Sequence, residues 1–406
     1  MMKMHPLNQQ PESVIVLLIS LLFATMPALR AFAQTPPETK ITNAGLKLVD
    51  FVYKHPSGDQ ETLTTSIWYP TNGPEKEYSY MGSWRKSFKG KVSLDAAPIE
   101  HSRPFPVLLY ITGLYGGGAS SSFLAEYLAR HGYVVVGPDF NDTKPPTYKD
   151  QVAWNRLRKG NTFKNIWEPL KLGREFFKDM EHDPGRLINY LDTRRISQAL
   201  FIIEQIVKLS DAKDSFFYRL IDKEQIGLCG HSLGGVTVLA MIGCDPEKKY
   251  YSSRVKAALL LSPGVYPFEK ALTNIRVPTM VMVGEDDPPN LGPSDVPRQT
   301  VYFKGPPPKY LCIIKGGEHL DFTNDVCGNT LLDECVRTRE KAEVICSYGL
   351  AFLDKYLRHS DSTSAQLDKM DKGLVYYAKE IQTGKAQEWG DAPGTAKKDR
   401  PRLFKR

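Results

Sequence analysis

The sequence predicts an α/β protein with a mostly parallel central sheet flanked by helices. Three observations lead there. Six continuous apolar runs, FPVLLYIT, YVVVGPDF, QIGLC, VKAALLLS, PTMVMVG and YLCIIKGG, have the composition of strands buried on both faces. Segments of helical periodicity alternate with them, and strand, helix, strand in succession implies right-handed parallel units. Two strands run straight into glycine-rich turns, GLYGGG and GHSLGG, which suit a sheet whose strand ends form a site.

The first 33 residues stand apart from this pattern. Lys3 lies in a short polar stretch, residues 14–26 form the apolar run VIVLLISLLFATM, and Pro27 breaks it. Ala31 and Ala33 frame a small-residue cleavage site, so residues 1–33 are read as a secretory signal peptide cut after Ala33, with secreted or periplasmic delivery. The run falls short of the ~20 residues that span a bilayer, and no later segment is long and apolar enough to do so. No stable membrane insertion is expected after cleavage.

Residues 34–365 are read as the folded domain. LKLVDFVY and TLTTSIWYP are strands separated by the turn-like HPSGDQ. Residues 72–103 are polar with few apolar positions. FPVLLYIT, the helix SSFLAEYLARHG stopped by Gly132, and YVVVGPDF then form a parallel unit. Residues 142–193 break the rhythm. They are rich in Lys, Arg and aromatics, including Trp154, Phe163, Trp167 and Phe176, and read as a helical insertion, either a lid or a cover over the sheet edge. ISQALFIIEQIVKLS and VTVLAMIG are helices, and AEVICSYGLAFLDKYLRH is the closing one. Residues 366–406 form a polar, basic tail with fading periodicity, expected to be partly disordered.

The formal net charge is +7, spread along the chain apart from the terminal KKDRPRLFKR. This suits a solvated surface and gives no reason to expect nucleic-acid binding. Six cysteines in an exported chain permit disulfides. Cys229 and Cys312 lie in strand-like runs and read as buried thiols. The other four allow three connectivities, of which Cys327–Cys335 is favoured by closeness in a polar loop. No spacing matches a zinc site.

The chemistry centres on Ser232 in CGHSLGG. Gly-x-Ser-x-Gly is a cheap pattern, expected by chance in roughly one chain in seven of this length, so its surroundings decide. Ser232 sits between a buried strand and a helix, where a sharp turn projects its hydroxyl above the C-terminal edge of the sheet. Gly230 and Gly234 let strand and helix approach closely. The backbone N–H of Leu233 points to the same place and can stabilise an oxyanion. A serine needs a base, and His319 follows a strand late in the chain, in YLCIIKGGEHLDF. The orienting acid is Asp287, three residues beyond Gly284 at a strand end, with Asp286 the alternative. Leu114, after Gly113 in YITGLYGGG, supplies the second oxyanion N–H. His231 is read as structural, His131 as a helix cap, and Glu318 and Asp321 as poorly spaced for a metal. GLYGGG lacks the lysine of a phosphate loop.

Together GHSLGG, TGLYGGG, GEDDPP and GGEHLDF resemble the α/β-hydrolase superfamily. Within it, TTSIWYP, HGYVVVGPDF and GHSLGG resemble predicted dienelactone hydrolases and platelet-activating-factor acetylhydrolase-like esterases. The likeness runs from Leu46 to Leu357. It implies an α/β-hydrolase fold and a secreted serine esterase that cleaves carboxylic esters of short acyl chains. Ser232 would be nucleophile, His319 base and Asp287 its partner, with Leu233 and Leu114 as oxyanion donors and no cofactor or metal required. Its partner would be a small-molecule or lipid ester. Two departures stand out. Thr112–Gly113 replaces the family's usual His–Gly, which bears on how that loop is braced. Serine replaces the cysteine of true dienelactone hydrolases. Competing readings are acyl transfer to an alcohol, a serine peptidase, and a non-catalytic binding module on the same fold.

Overall fold

The computed structural model describes residues 41–81, 87–143, 183–245, 247, 249–288, 296–327, 331, 335 and 339–390. The signal segment 1–33, most of the 142–193 insertion (residues 144–182) and the tail beyond 390 lie outside the described residues.

Strands β1 (Asn43–Lys54) and β2 (Gln60–Thr71) pair antiparallel around the turn at HPSGDQ. The polar stretch that follows differs from expectation. It forms the hairpin β3 (Lys76–Met81) and β4 (Ser87–Leu94), and β4 joins β1. Only one face of β4 is buried for most of its length: Phe88, Gly90 and Val92 point in while Lys89 and Lys91 are more exposed, so its apolar content is low. β5 (Phe105–Ile111), helix α1 (Ser122–Arg130) and β6 (Val134–Pro138) form the first parallel unit. Gly132 ends α1 at φ 80°, a left-handed conformation that glycine tolerates.

After α2 (Pro184–Leu191) and α3 (Ser197–Asp211), β7 (Ile221–His231) runs into α4 (Leu233–Leu239). β8 (Val255–Leu261), β9 (Thr279–Gly284), α5 (Thr300–Lys304), β10 (Lys309–Ile314) and α6 (Arg339–Leu353) complete the alternation. β6, β5, β7, β8, β9 and β10 are mutually parallel neighbours.

The sheet does not stop there. β11 (Leu374–Glu380) and β12 (Ala386–Gly390) add antiparallel strands beyond β10, giving the order β12-β11-β10-β9-β8-β7-β5-β6-β2-β1-β4-β3. The expectation of a fading tail from residue 366 therefore differs from the structure up to residue 390. Tyr376, Tyr377 and Ala378 are buried, which anchors β11.

Alternation along the central strands feeds two cores. Val107, Leu109 and Ile111 of β5 face one side with Ile202 and Ile206 of α3. Leu108 and Tyr110 face the other with Leu124 and Leu128 of α1 and Ile345 and Phe352 of α6. Each such side chain contributes roughly 1.5–3 kcal/mol by burial. The N-terminal hairpin is tied to α1 by polar contacts. Trp68 Nε1 donates to Tyr80 Oη, and Tyr80 donates to the buried Glu126, both at 2.9 Å. Burial pushes the Glu126 carboxyl up to about 7, against the pull of Arg130. Cys327 and Cys335 are joined in a disulfide, while Cys229, Cys244, Cys312 and Cys346 are buried thiols.

Candidate active site

The parallel strands deliver their C-terminal ends to one edge, and the predicted residues meet there. Ser232 follows β7 directly. Its backbone sits at φ 53° and ψ −119°, a region that costs a non-glycine residue about 1–3 kcal/mol. Backbone contacts hold the turn. Ser232 N–H donates to Leu261 O at 3.1 Å, and its carbonyl accepts from Gly235 N at 2.9 Å and Gly264 N at 3.0 Å. At Gly234 an added Cβ would drive into the carbonyls of Ile111 and Thr112, so only glycine lets α4 pass this close to the end of β5.

His319 lies in a short turn after β10 that is capped from within. Glu318 N–H donates to Asp321 Oδ2 at 2.8 Å, and Lys341 pairs with the same carboxylate oxygen at 2.6 Å. The two acids flanking His319 thus build its turn. His319 Nε2 lies 2.9 Å from Ser232 Oγ, and its Nδ1 lies 3.2 Å from each oxygen of Asp287. The Asp287 side chain is fully buried, whereas Asp286 is exposed. Of the two candidate acids, Asp287 is the one brought to the histidine.

His231 is buried beneath the site. Its Nε2 donates to the carbonyl of His319 at 3.0 Å, which fixes the backbone of the neighbouring histidine. Burial, reinforced by the nearby His319, drives the His231 pKa well down, so this ring stays neutral. His131 donates Nδ1–H to Tyr127 O at 2.7 Å at the end of α1, far in sequence from these residues.

Burial also lowers the pKa of His319. The Asp287 carboxylate opposes that shift and Arg298 adds to it. The imidazole is therefore neutral near pH 7, the state a proton acceptor needs. Arg298 was not legible in the sequence. Its Nε lies 3.2 Å from Asp287 Oδ1, and its Nη1 donates to the carbonyls of Ser262 and Pro263 at 3.2 and 3.1 Å.

The loop after β5 approaches from the other side. A Cβ at Gly113 would stand 3.3 Å from Ser232 Cβ and 3.2 Å from the His231 ring, tighter than ordinary contact. Leu114 follows it. Among the described residues, neither Leu114 N–H nor Leu233 N–H has an acceptor. The loop is fastened by Asp139, which accepts from Gly118 N at 2.8 Å, and by Thr143, which donates to Gly116 O at 3.0 Å. It is also fastened by Arg195, another residue the sequence did not single out.

A hydroxyl on a strained turn, a neutral imidazole within hydrogen-bond reach, a carboxylate behind it and, among the described residues, backbone donors without acceptors are groups that can together carry out acyl transfer. Among the described residues no helix is long and apolar enough to cross a membrane.

Comparison with known proteins agrees with the fold. The family model for platelet-activating factor acetylhydrolase, isoform II, matches residues 55–287, more than half of the chain. Platelet-activating factor acetylhydrolase from Cavia porcellus is 21% identical over 356 residues, covering 79% of this chain and 76% of that protein. The Canis lupus familiaris protein of the same name is 21% identical over 369 residues, covering 79% and 75%. That of Bos taurus is 23% identical over 296 residues, covering 66% and 62%. The chain belongs to the platelet-activating factor acetylhydrolase, isoform II, family and is a carboxylic ester hydrolase of the α/β class.

Proposed function

We propose that this chain is an exported serine esterase that removes short acyl groups from small-molecule or lipid esters. Ser232 is the nucleophile, His319 the general base and acid, and Asp287 the group that orients and balances His319. The observation that carries the reading is the 2.9 Å contact between His319 Nε2 and Ser232 Oγ, on a backbone held at positive φ. Short acyl chains are favoured because the relatives named above are acetylhydrolases. Export rests on the N-terminal segment alone.

Ser232 Oγ attacks the ester carbonyl as His319 Nε2 takes its proton. The resulting oxyanion is met by the N–H groups of Leu233 and Leu114. Collapse breaks the bond to the alcohol oxygen, which receives the proton from His319 and departs. Water, deprotonated by the same imidazole, attacks the acyl-serine. The second tetrahedral intermediate releases the acid and restores the serine hydroxyl. Asp287 accepts Nδ1–H throughout and stabilises the imidazolium.

The test is hydrolysis of p-nitrophenyl acetate, butyrate, octanoate and palmitate by the mature protein and by Ser232→Ala. Rates that peak on acetate or butyrate, and a fall of about 10⁴-fold or more in the variant, are expected. Equal rates in the two proteins would remove Ser232 from the reaction. A peak on palmitate would remove the short-acyl preference.

A further inference from the structure

Arg195 has no exposed surface at all, yet it is nowhere near the chemistry in sequence. Fully buried arginine is rare and must find a partner for each nitrogen. Here every nitrogen is used. Nε donates to Asp142 Oδ2 at 2.9 Å, Nη1 to Thr112 O at 2.6 Å and Nη2 to Gly113 O at 2.9 Å, with Nη2 also 2.7 Å from Asp142 Oδ2. Tyr190 donates a very short hydrogen bond to the same Asp142 oxygen.

The two carbonyls gripped by Arg195 are the last two before Leu114. The Gly113–Leu114 peptide is trans, as cis bonds occur only at Tyr266–Pro267 and Pro307–Pro308 among the described residues. In a planar trans peptide the C=O and the N–H point in opposite directions. Fixing Gly113 O on the guanidinium therefore fixes Leu114 N–H facing away from it. Gly113 itself lies against Ser232, and Leu114 N–H has no protein acceptor among the described residues. A cation on the carbonyl also polarises the amide, which strengthens its N–H as a donor.

The local backbone is built to deliver this side chain. Arg195 lies in a π-turn, Asp192–Ile196, inserted between α2 and α3, where Ser197 N–H reaches back to Asp192 O. Such single π-turns interrupt an otherwise regular helix and recur at functional sites.

We propose that Arg195 is a positioning residue for the oxyanion site: it locks the Gly113–Leu114 peptide so that Leu114 N–H faces the carbonyl under attack. The inference rests on Ser232 being the nucleophile.

The test compares wild type with Arg195→Lys and with the charge-free pair Asp142→Asn/Arg195→Met, which leaves no unpaired buried ion. Three quantities are read: kcat and KM on p-nitrophenyl acetate, the inhibition constant of an alkyl trifluoromethyl ketone, and the melting temperature. The ketone adds to a serine and develops the oxyanion, so its affinity reports donor alignment. In variants that melt as single folded species, kcat and ketone affinity are expected to fall together by about 10–10³-fold, with KM within about threefold. Lysine offers one point charge and cannot hold two carbonyls and a carboxylate, so it should not restore the rate. A folded variant with wild-type kcat and ketone affinity would overturn the proposal. So would a loss carried by KM with ketone affinity unchanged. Failure of the underlying reading is separate: wild type would then ignore the ketone, and Ser232→Ala would keep its activity.

Discussion

Two buried arginines flank the proposed site, and they are built alike. Arg195 grips the carbonyls of Thr112 and Gly113 and pairs with Asp142. Arg298 grips the carbonyls of Ser262 and Pro263 and pairs with Asp287. Each fastens the chain just past the C-terminal end of a parallel strand, β5 in one case and β8 in the other. The difference lies in the carboxylate. Among the described residues Asp142 answers only to Tyr190 and Arg195, whereas Asp287 is shared with His319. One clamp is insulated and holds geometry. The other is wired to a titrating group, so its charge reaches the chemistry.

The same substitution in both clamps gives the sharpest contrast. Asp287→Asn is expected to lower kcat by about 10⁴-fold, because the amide no longer enforces the right tautomer or balances an imidazolium. Asp142→Asn leaves Arg195 charged and still on its two carbonyls. It is expected to cost about 3 kcal/mol or more of stability through the unpaired buried cation, with kcat of the folded protein within about tenfold of wild type. Steady-state kinetics with urea denaturation separates the two. Similar kcat losses would end the distinction.

A smaller effect should appear in the pH profile. Burial lowers the His319 pKa, and Arg298 lowers it further. The acid limb of kcat/KM, where activity disappears as the imidazole gains its proton, is therefore expected below the ordinary histidine value of about 6.5. Removing the positive charge in Arg298→Met favours the imidazolium, so the limb should move to higher pH. The charge-free Asp142→Asn/Arg195→Met pair should leave the limb in place while lowering the plateau. A limb that moves equally in both would show that neither clamp is insulated.

These clamps mark what could be read in the sequence. Ser232, His319 and Asp287 each sit in a contiguous strand-then-loop pattern, and order along the chain distinguishes the roles proposed for them. Their convergence follows from parallel strands presenting one edge. Arg195 and Arg298 carry no such local pattern. Arg195 meets Thr112 across 83 positions, and nothing in DTRRIS marks which arginine turns inward. The β3–β4 hairpin failed to register for another reason. It contributes one buried face, and its inward residues are separated by lysines, so the stretch reads as polar even though SFKGKVSL alternates. β11 was hidden by its setting. LVYYAKE has a strand's composition, but polar turns on either side masked it.

The positive φ at Ser232 sets two selective pressures against each other. Glycine would occupy that backbone freely, so drift toward tolerance of heat or denaturant favours losing the serine side chain. Under the proposed mechanism, the hydroxyl is kept by the demand for its chemistry. In a lineage released from that demand, this position is among the first places where inactivation would carry a stability benefit, and the sheet around it would survive the change intact.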